Sequence, residues 1–365
     1  MQQNDRHLQH ALLHVIMEES GSLAFQRKLA KARMEMPHLE LAGVLEKILP
    51  RDGAEKGQAH ETSLLKAHVH YTTLLDPDYP MMLKQIHGPP PVLFYAGSIA
   101  SLHRPCISIV GSRAVTTYGL QVAKKLGGEL AQMGFTLVSG LALGVDAAGH
   151  VAALEVNGRT AAVLGSGVDR IYPAEHRTLA KDMIHMKGAV VSEFPPGVRP
   201  KAFHFPVRNR IISGLSHAVI VVEAKEKSGS LITARHCLDQ GRELFAVPGP
   251  IHHETSYGTN KLIQSGEARL LLSVENVLEE LQPLLGMAAN HEKRIFKDIK
   301  DPISKKIYEK LDAFEPIPLD LLVAELQEEA GTVVARLVEL QSRNLIECRP
   351  GQYYVRNPLA SGVKA

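Results

Sequence analysis

Six short apolar runs, each followed by a stretch of helical periodicity, constrain this chain more than any other feature of its sequence. They are Ile107-Ser108-Ile109-Val110, Thr136-Leu137-Val138-Ser139, Ala161-Ala162-Val163-Leu164, Ala189-Val190-Val191-Ser192, Val219-Ile220-Val221-Val222 and Leu244-Phe245-Ala246-Val247. Such runs lack the alternation of a half-exposed strand, so they suit a parallel sheet covered by helices on both faces. Repeated strand–helix alternation from Cys106 to Leu281 therefore predicts βαβ units and an α/β fold. Ligands of such sheets bind beyond the carboxyl ends of the strands, which makes the residues after each run the place to look for function.

The first run ends in Gly111-Ser112-Arg113, which puts Arg113 at the expected crevice, although a surface arginine in a βα turn is the plainer account. The second leads into Gly140, and the third into Gly165-Ser166-Gly167 and on to Tyr172-Pro173. Glycines there let a ligand approach backbone N–H groups, while tight packing turns need them equally. Gly111, Gly140, Gly165, Pro195 and Ser228 all follow strands and are expected to open on one sheet edge. The densest stretch runs from Pro195 to Ala234. Lys201, Phe203 and Phe205 interleave charge with aromatic faces, a mixture suited to a single-stranded nucleic acid. One of the two phenylalanines is expected to plug the underside of the loop. A short helix is predicted over Val207–Ser216, started by Pro206. Arg208 and Arg210 lie two apart on it and face different ways, so one points into a pocket and the other meets an acid or a second phosphate. The turn Ser228-Gly229-Ser230 opens the next helix and has the composition of a phosphate cradle.

Other chemistries find less support. A net charge of +2 gives no global basic field, so a nucleic-acid site must come from local clustering. The first turn lacks GxGxxG and no GxxxxGK[ST] occurs, which argues against dinucleotide and P-loop cofactors. Asp146 and His150 at i,i+4, and Glu193 after the fourth run, have acid–base potential, but an aspartate at a helix start is favoured by the dipole alone. His252-His253-Glu254 has poor ligand spacing, and no metal is expected. Cys106, Cys237 and Cys348 are odd in number and far apart, which fits reduced thiols and a cytoplasmic protein. No apolar run approaches the ~20 residues of a membrane span.

Around the core, residues 1–96 are polar and helix-patterned, and Gly88–Gly97, with its three prolines, is predicted as an extended linker. A polar stretch, Met287–Arg294, precedes a last module. Helices are predicted there around Ser304–Phe314, Leu319–Glu328 and Thr332–Ser342, then a hairpin turned by Pro350-Gly351. This is the order of a winged helix, yet the third helix offers only Arg336 and Arg343 with Glu339 between them, so duplex binding does not follow.

Taken together, the motifs resemble the DprA/Smf family, the bacterial DNA-processing proteins of natural transformation. They are Gly111-Ser112-Arg113, Ser139–Asp146, Gly165–Asp169 with Tyr172-Pro173, Ser192–Gly197, Phe205–Ile212, Ser228–Ala234, Val247-Pro248-Gly249 and Gly258–Ile263. The likeness spans Tyr79 to Leu281. It implies an extended Rossmann-like core (97–285) between a small N-terminal helical, SAM-like domain (1–96) and a C-terminal winged-helix domain (300–358). It also implies a homodimer, formed through the core, that binds and protects single-stranded DNA and loads the RecA recombinase, with no catalysis and no cofactor. Candidate DNA-binding residues are Gly111, Ser112, Arg113, Gly140, Gly165, Lys201, Phe203, Phe205, Arg208, Asn209, Arg210, Ser228, Gly229, Ser230, Thr233, Asn260 and Lys261. Replacing Arg113 or Arg208 by alanine is expected to weaken binding with little effect on stability. The chain departs from the family pattern at His176 and at Glu267. The competing class is a nucleoside-phosphate hydrolase similar to the phosphoribohydrolases, whose PGGxGTxxE signature is replaced here by Val247-Pro248-Gly249-Pro250.

Overall fold

The computed structural model describes residues 2–18, 22–36, 38–50, 52–281, 299–312, 316–343, 345–349 and 351–356. They fall into two compact units, Met1–Leu278 and Glu279–Ala365. The first opens with helices α1 (Gln2–Glu18), α2 (Ser22–Glu35), α3 (Leu41–Ile48) and α4 (Gly53–Lys66), followed by strand β1 (His70–Thr73), a short α5 (Met81–Lys84) and β2 (Val92–Gly97). The six predicted runs then appear as β3 (Cys106–Val110), β4 (Thr136–Ser139), β5 (Thr160–Val163), β6 (Ala189–Ser192), β7 (Ala218–Val221) and β8 (Glu243–Ala246), and β9 (Arg269–Leu270) closes the sheet. Between them lie α6 (Thr117–Gln132), α7 (Val145–Glu155), α8 (Arg177–His185), α9 (His204–Gly214), α10 (Gly229–Asp239) and α11 (Glu254–Gln264).

The sheet order is β1-β2-β6-β5-β4-β3-β7-β8-β9. Pairing is parallel from β6 through β9, and antiparallel where β2 meets β6 and β1. Every residue of β3 to β7 is buried, which is why these strands read as unbroken apolar runs. Chain order runs outward from β3 in both directions, through β4 on one side and β7 on the other. That reversal is the topological switch point, and the loops diverging there leave a crevice.

Two organisational expectations need correction. Val92–Gly97 is a strand and not linker: Phe94 lies opposite Ser192, and Val92, Leu93 and Phe94 have no solvent exposure. The prolines keep the approach extended, but burial decides the fate of the apolar residues after them. Nor does a boundary fall at residue 96. Leu12, Leu13, Ile16, Phe25, Val44 and Leu45 from the N-terminal helices share one apolar core with the sheet, so residues 1–96 belong to the first unit.

The second unit contains α12 (Pro302–Lys310), β10 (Ile317–Pro318), α13 (Leu319–Leu326), α14 (Ala330–Ser342), β11 (Ile346–Arg349) and β12 (Tyr353–Arg356). Its three strands are antiparallel in the order β10-β12-β11. Asp301 caps α12 by accepting from the Ser304 N–H at 2.7 Å, and Pro302 follows where its missing N–H costs nothing. Ile307, Leu322, Leu337 and Leu340 form a core of its own. Met287–Arg294, Phe314 and Pro350 lie outside the described residues. Among the described residues all three cysteines are free, and no helix is long and apolar enough to cross a membrane.

Candidate nucleic-acid interface

A cleft of about 830 Å³ opens at the switch point, between the loops that follow β3 and β7, with α9 along its floor. The β3 loop reaches it because the turn before α7 packs beneath. Gly144 there has φ 79°, and a Cβ on it would stand 2.3 Å from the Ser112 carbonyl oxygen, so only glycine lets the two loops touch. Arg113 is consequently exposed over the cleft, with its guanidinium 5.6 Å from the centre of the Phe205 ring. Among the described residues no carboxylate pairs with it.

On the other wall, Ser228 caps α10: its hydroxyl accepts from the Ser230 N–H at 3.4 Å and lies 2.8 Å from the Ser230 hydroxyl. Asn209 donates to the Gly229 carbonyl at 3.2 Å and fixes the turn to α9. Ser228, Gly229 and Ser230 thus present the positive end of α10 to the cleft. The neighbouring α6 offers no such end. Its Thr116 cap is held by Glu223, which is 2% exposed and accepts from the Thr116 N–H at 3.0 Å and hydroxyl at 2.6 Å. A carboxylate already occupies that N-terminus, so an anion entering the cleft meets α10 instead.

Arg208 borders the cleft but is built into it. It is 4% exposed, and donates to the Gly140 carbonyl at 3.0 Å, to the Val163 carbonyl and to the Asn209 side chain at 3.2 Å. Burial pushes its pKa down to about 10, against the opposing pull of Asp146, so it stays charged at neutral pH. Asp146 accepts from the N–H groups of Gly140 at 3.0 Å and Ala142 at 3.3 Å, and burial raises its pKa. This revises the expectation that Arg208 can be removed without loss of stability: its deletion leaves the buried Gly140 and Val163 carbonyls without their donor and takes away a positive charge that favours the ionised form of buried Asp146.

Of the predicted residues, Gly111, Ser112, Arg113, Lys201, Phe205, Arg208, Asn209, Ser228, Gly229, Ser230 and Thr233 line one cleft. Six do not. Gly140 and Gly165 are buried by packing, the first under Arg208 and Asp146, the second under Phe205 and His204. Arg210 turns away to Glu193, 2.8 Å from a carboxylate with no solvent exposure, and Gln26 of α2 bonds to both. Asn260 clamps both polar groups of the Gly249 backbone, at 3.1 and 2.9 Å, and Lys261 sits on the exposed surface beside Gln264. Phe203 is 59% exposed outside the cleft, edge-on to His204 with Lys201 5.9 Å from its centre. The plug beneath the loop is neither predicted phenylalanine but Phe194, stacked 4.1 Å from His204.

Cleft residues outside the predicted binding set include Tyr172, named only as part of a motif, and Lys225, Lys227 and Ile232. Tyr172 is 47% exposed and its ring centre lies 5.5 Å from that of Phe205, so the two make a stepped aromatic surface. Lys225 is paired with Glu254 at 2.9 Å, whereas Lys227 has no carboxylate partner among the described residues. The acid–base candidates are engaged elsewhere. His150 has no exposure, lies 2.5 Å from the Thr160 hydroxyl, and is pushed down to about 3 by burial.

The family model described as DNA recombination-mediator protein A matches residues 70–282. The chain belongs to this family. Protein Smf of Escherichia coli (strain K12) is 41% identical over 280 residues, 75% of this chain and 74% of that protein. The DNA processing protein DprA of Bacillus subtilis (strain 168) is 48% identical over 204 residues, 56% of this chain and 68% of that one. Among solved structures, DprA from Streptococcus pneumoniae superposes with a TM-score of 0.60 at 35% identity, covering 74% of this chain and 97% of its own. DNA processing protein A from Helicobacter pylori, solved for its single-stranded DNA binding mode, gives 0.53 at 31% identity over 60% of this chain and 98% of its own. As a recombination-mediator family member, this chain has the mostly parallel α/β sheet of its solved relatives.

Proposed function

We propose that this chain binds single-stranded DNA in the β3/β7 cleft and mediates recombination of incoming strands in natural transformation, without turning its ligand over. One observation carries the reading: Arg113, Lys201 and Lys227, none paired with a carboxylate among the described residues, and the open N-terminus of α10 surround the faces of Tyr172 and Phe205. Cations and helix ends take phosphates, and aromatic faces take bases of any sequence. The kinship with the Helicobacter pylori protein supports the same ligand. Binding without chemistry is supported by the state of the three acid–base candidates: Asp146 is hydrogen-bonded by backbone, His150 is sealed, and Glu193 is ion-paired.

In this reading the protein works in the cytoplasm as a homodimer joined through the Rossmann-like core and delivers the strand to the RecA recombinase. The N-terminal helices correspond to the SAM-like domain of the family, here packed into the first unit, and the second unit, whose helices and strands follow one another in the order αβααββ, is a winged helix. That unit acts through protein contact and not on duplex DNA: Arg336 on α14 is tied to Asp301 at 3.3 Å and Glu339 at 3.0 Å, and the helix exposes Val334 and Val338.

The test is fluorescence anisotropy of labelled oligo-dT over a salt series. About three phosphate contacts predict a slope of roughly −2 in log K against log salt, and a clear preference over duplex. Nucleoside monophosphates incubated with the protein remain intact. Salt-independent binding, a preference for duplex, or release of free base overturns the reading.

A further inference from the structure

Helices α1 and α4, which contribute no residue to the cleft lining, are held at backbone contact. A Cβ on Gly57 of α4 would stand 1.8 Å from the His10 carbonyl oxygen, so glycine there sets the closeness of the pair. Near that contact α1 carries His14 and Glu18, four residues apart and therefore on one face, and α4 carries His60. His14 Nδ1 lies 3.3 Å from His60 Nε2, and the same nitrogen lies 3.4 Å from Glu18 Oε1. One ligand atom from each residue fits within 4.8 Å of the others, and the two rings stack at 5.5 Å.

Hydrogen bonding accounts for only part of this arrangement. A neutral imidazole nitrogen carries either a proton or a lone pair, so His60 Nε2 cannot donate to both His14 and Glu18. If it accepts from His14, it has no proton left for the carboxylate. A cation between the three groups satisfies all of them at once. Zinc holds imidazole nitrogen at about 2.0–2.1 Å and carboxylate oxygen at about 2.0–2.2 Å, so two ligands at a tetrahedral angle stand roughly 3.3–3.5 Å apart. The two short separations here are edges of that size. Lys56, the cation that feels Glu18, is itself held by Asp52 at 2.6 Å.

We propose that His14, Glu18 and His60 form a site for a borderline divalent transition metal, with Zn²⁺ the best match, that ties α1 to α4. Two imidazoles and one carboxylate select Zn²⁺, Co²⁺ or Ni²⁺ over Mg²⁺ and Ca²⁺, which take oxygen ligands. The exposed Glu18 side leaves room for water as a fourth ligand. The sequence reading expects no metal because it weighs the adjacent His252-His253 pair. The site proposed here takes its third ligand from a different helix, a juxtaposition that linear spacing does not show.

The experiment uses the full chain stripped with a chelator and then titrated with Zn²⁺ by calorimetry and with Co²⁺ by visible absorption. One equivalent binds, Co²⁺ develops the intense bands of tetrahedral coordination, and Zn²⁺ raises the thermal midpoint. His14→Gln or His60→Gln lowers affinity at least tenfold, while the double variant His252→Gln/His253→Gln binds as the parent does. Absence of binding at millimolar Zn²⁺, or parental affinity in the His14→Gln/His60→Gln chain, overturns the site. Should the histidine variants fold poorly, Glu18→Gln leaves both rings in place, and an unchanged Co²⁺ spectrum in that variant also overturns it.

Discussion

The loops on the two sides of the switch point use similar residues in opposite ways. Beyond β3 and β7, Arg113, Ser228 and Gly229 border an 830 Å³ cleft, with Ser230 buried behind them. Beyond β4, β5 and β6, Gly140, Gly165, Asp146 and Glu193 are closed upon one another and upon α9. Helix α9 faces both regimes. Its Arg208 ties the closed loops together, and its Asn209 orients the open turn. Glycine or charge after a strand therefore does not by itself mark a binding residue. What distinguishes the open side is that Arg113, Lys201 and Lys227 have no carboxylate partner among the described residues, and that the N-terminus of α10 carries no acid such as the one Glu223 supplies at α6.

The variant that strains this comparison most is Arg208→Ala. Removing a guanidinium from the closed side leaves the buried Gly140 and Val163 carbonyls without their donor, and about 2–4 kcal/mol of stability is lost. Urea denaturation reads it, and a loss below about 1 kcal/mol would place Arg208 on the open side. Next in size is Phe205→Ala. A base stacked on that ring contributes ~1–3 kcal/mol, so oligo-dT affinity falls by about 5- to 150-fold by anisotropy, while Phe203→Ala, outside the cleft, changes it much less. A larger effect at Phe203 would move the aromatic surface out of the cleft. Smallest is Arg113→Ala, which weakens binding several-fold, makes the salt slope shallower by ~0.7, and leaves the unfolding free energy within about 0.5 kcal/mol of the parent. Lys261→Ala serves as its paired control, with binding and stability both unchanged; an equal loss at Lys261 would mean that surface charge anywhere suffices.

The two sides also differ in how much of them the sequence discloses. The runs from Ile107 to Val247 announce six strands because burial on both faces leaves no room for polar alternation. Hydroxyls at Ser228 and Ser230 before a helix announce a cap, since that chemistry is local. Helix α9 begins at His204, ahead of the predicted Val207, because Phe194 stacks on His204 and orders the residues before Pro206. Strand β2 escapes notice behind three prolines, whose local bias is overridden by the burial of Val92 to Phe94. The closed side is nearly silent in sequence because its partners are distant: Arg208 lies 68 residues from Gly140, and Arg210 lies 184 from Gln26. Whether Gly165 faces a ligand or a neighbouring ring depends on packing that spacing alone cannot encode.

The central claim is that the strand lies between the β3 and β7 loops, across Tyr172 and Phe205. Photo-cross-linking of the full chain to an oligo-dT bearing 5-iodouracil, followed by mass spectrometry of the peptide adducts, tests it most directly. The account predicts adducts at Tyr172 or Phe205 that competing unlabelled oligo-dT removes. Adducts confined to residues 299–356, or to the α11 surface around Tyr257, would contradict it.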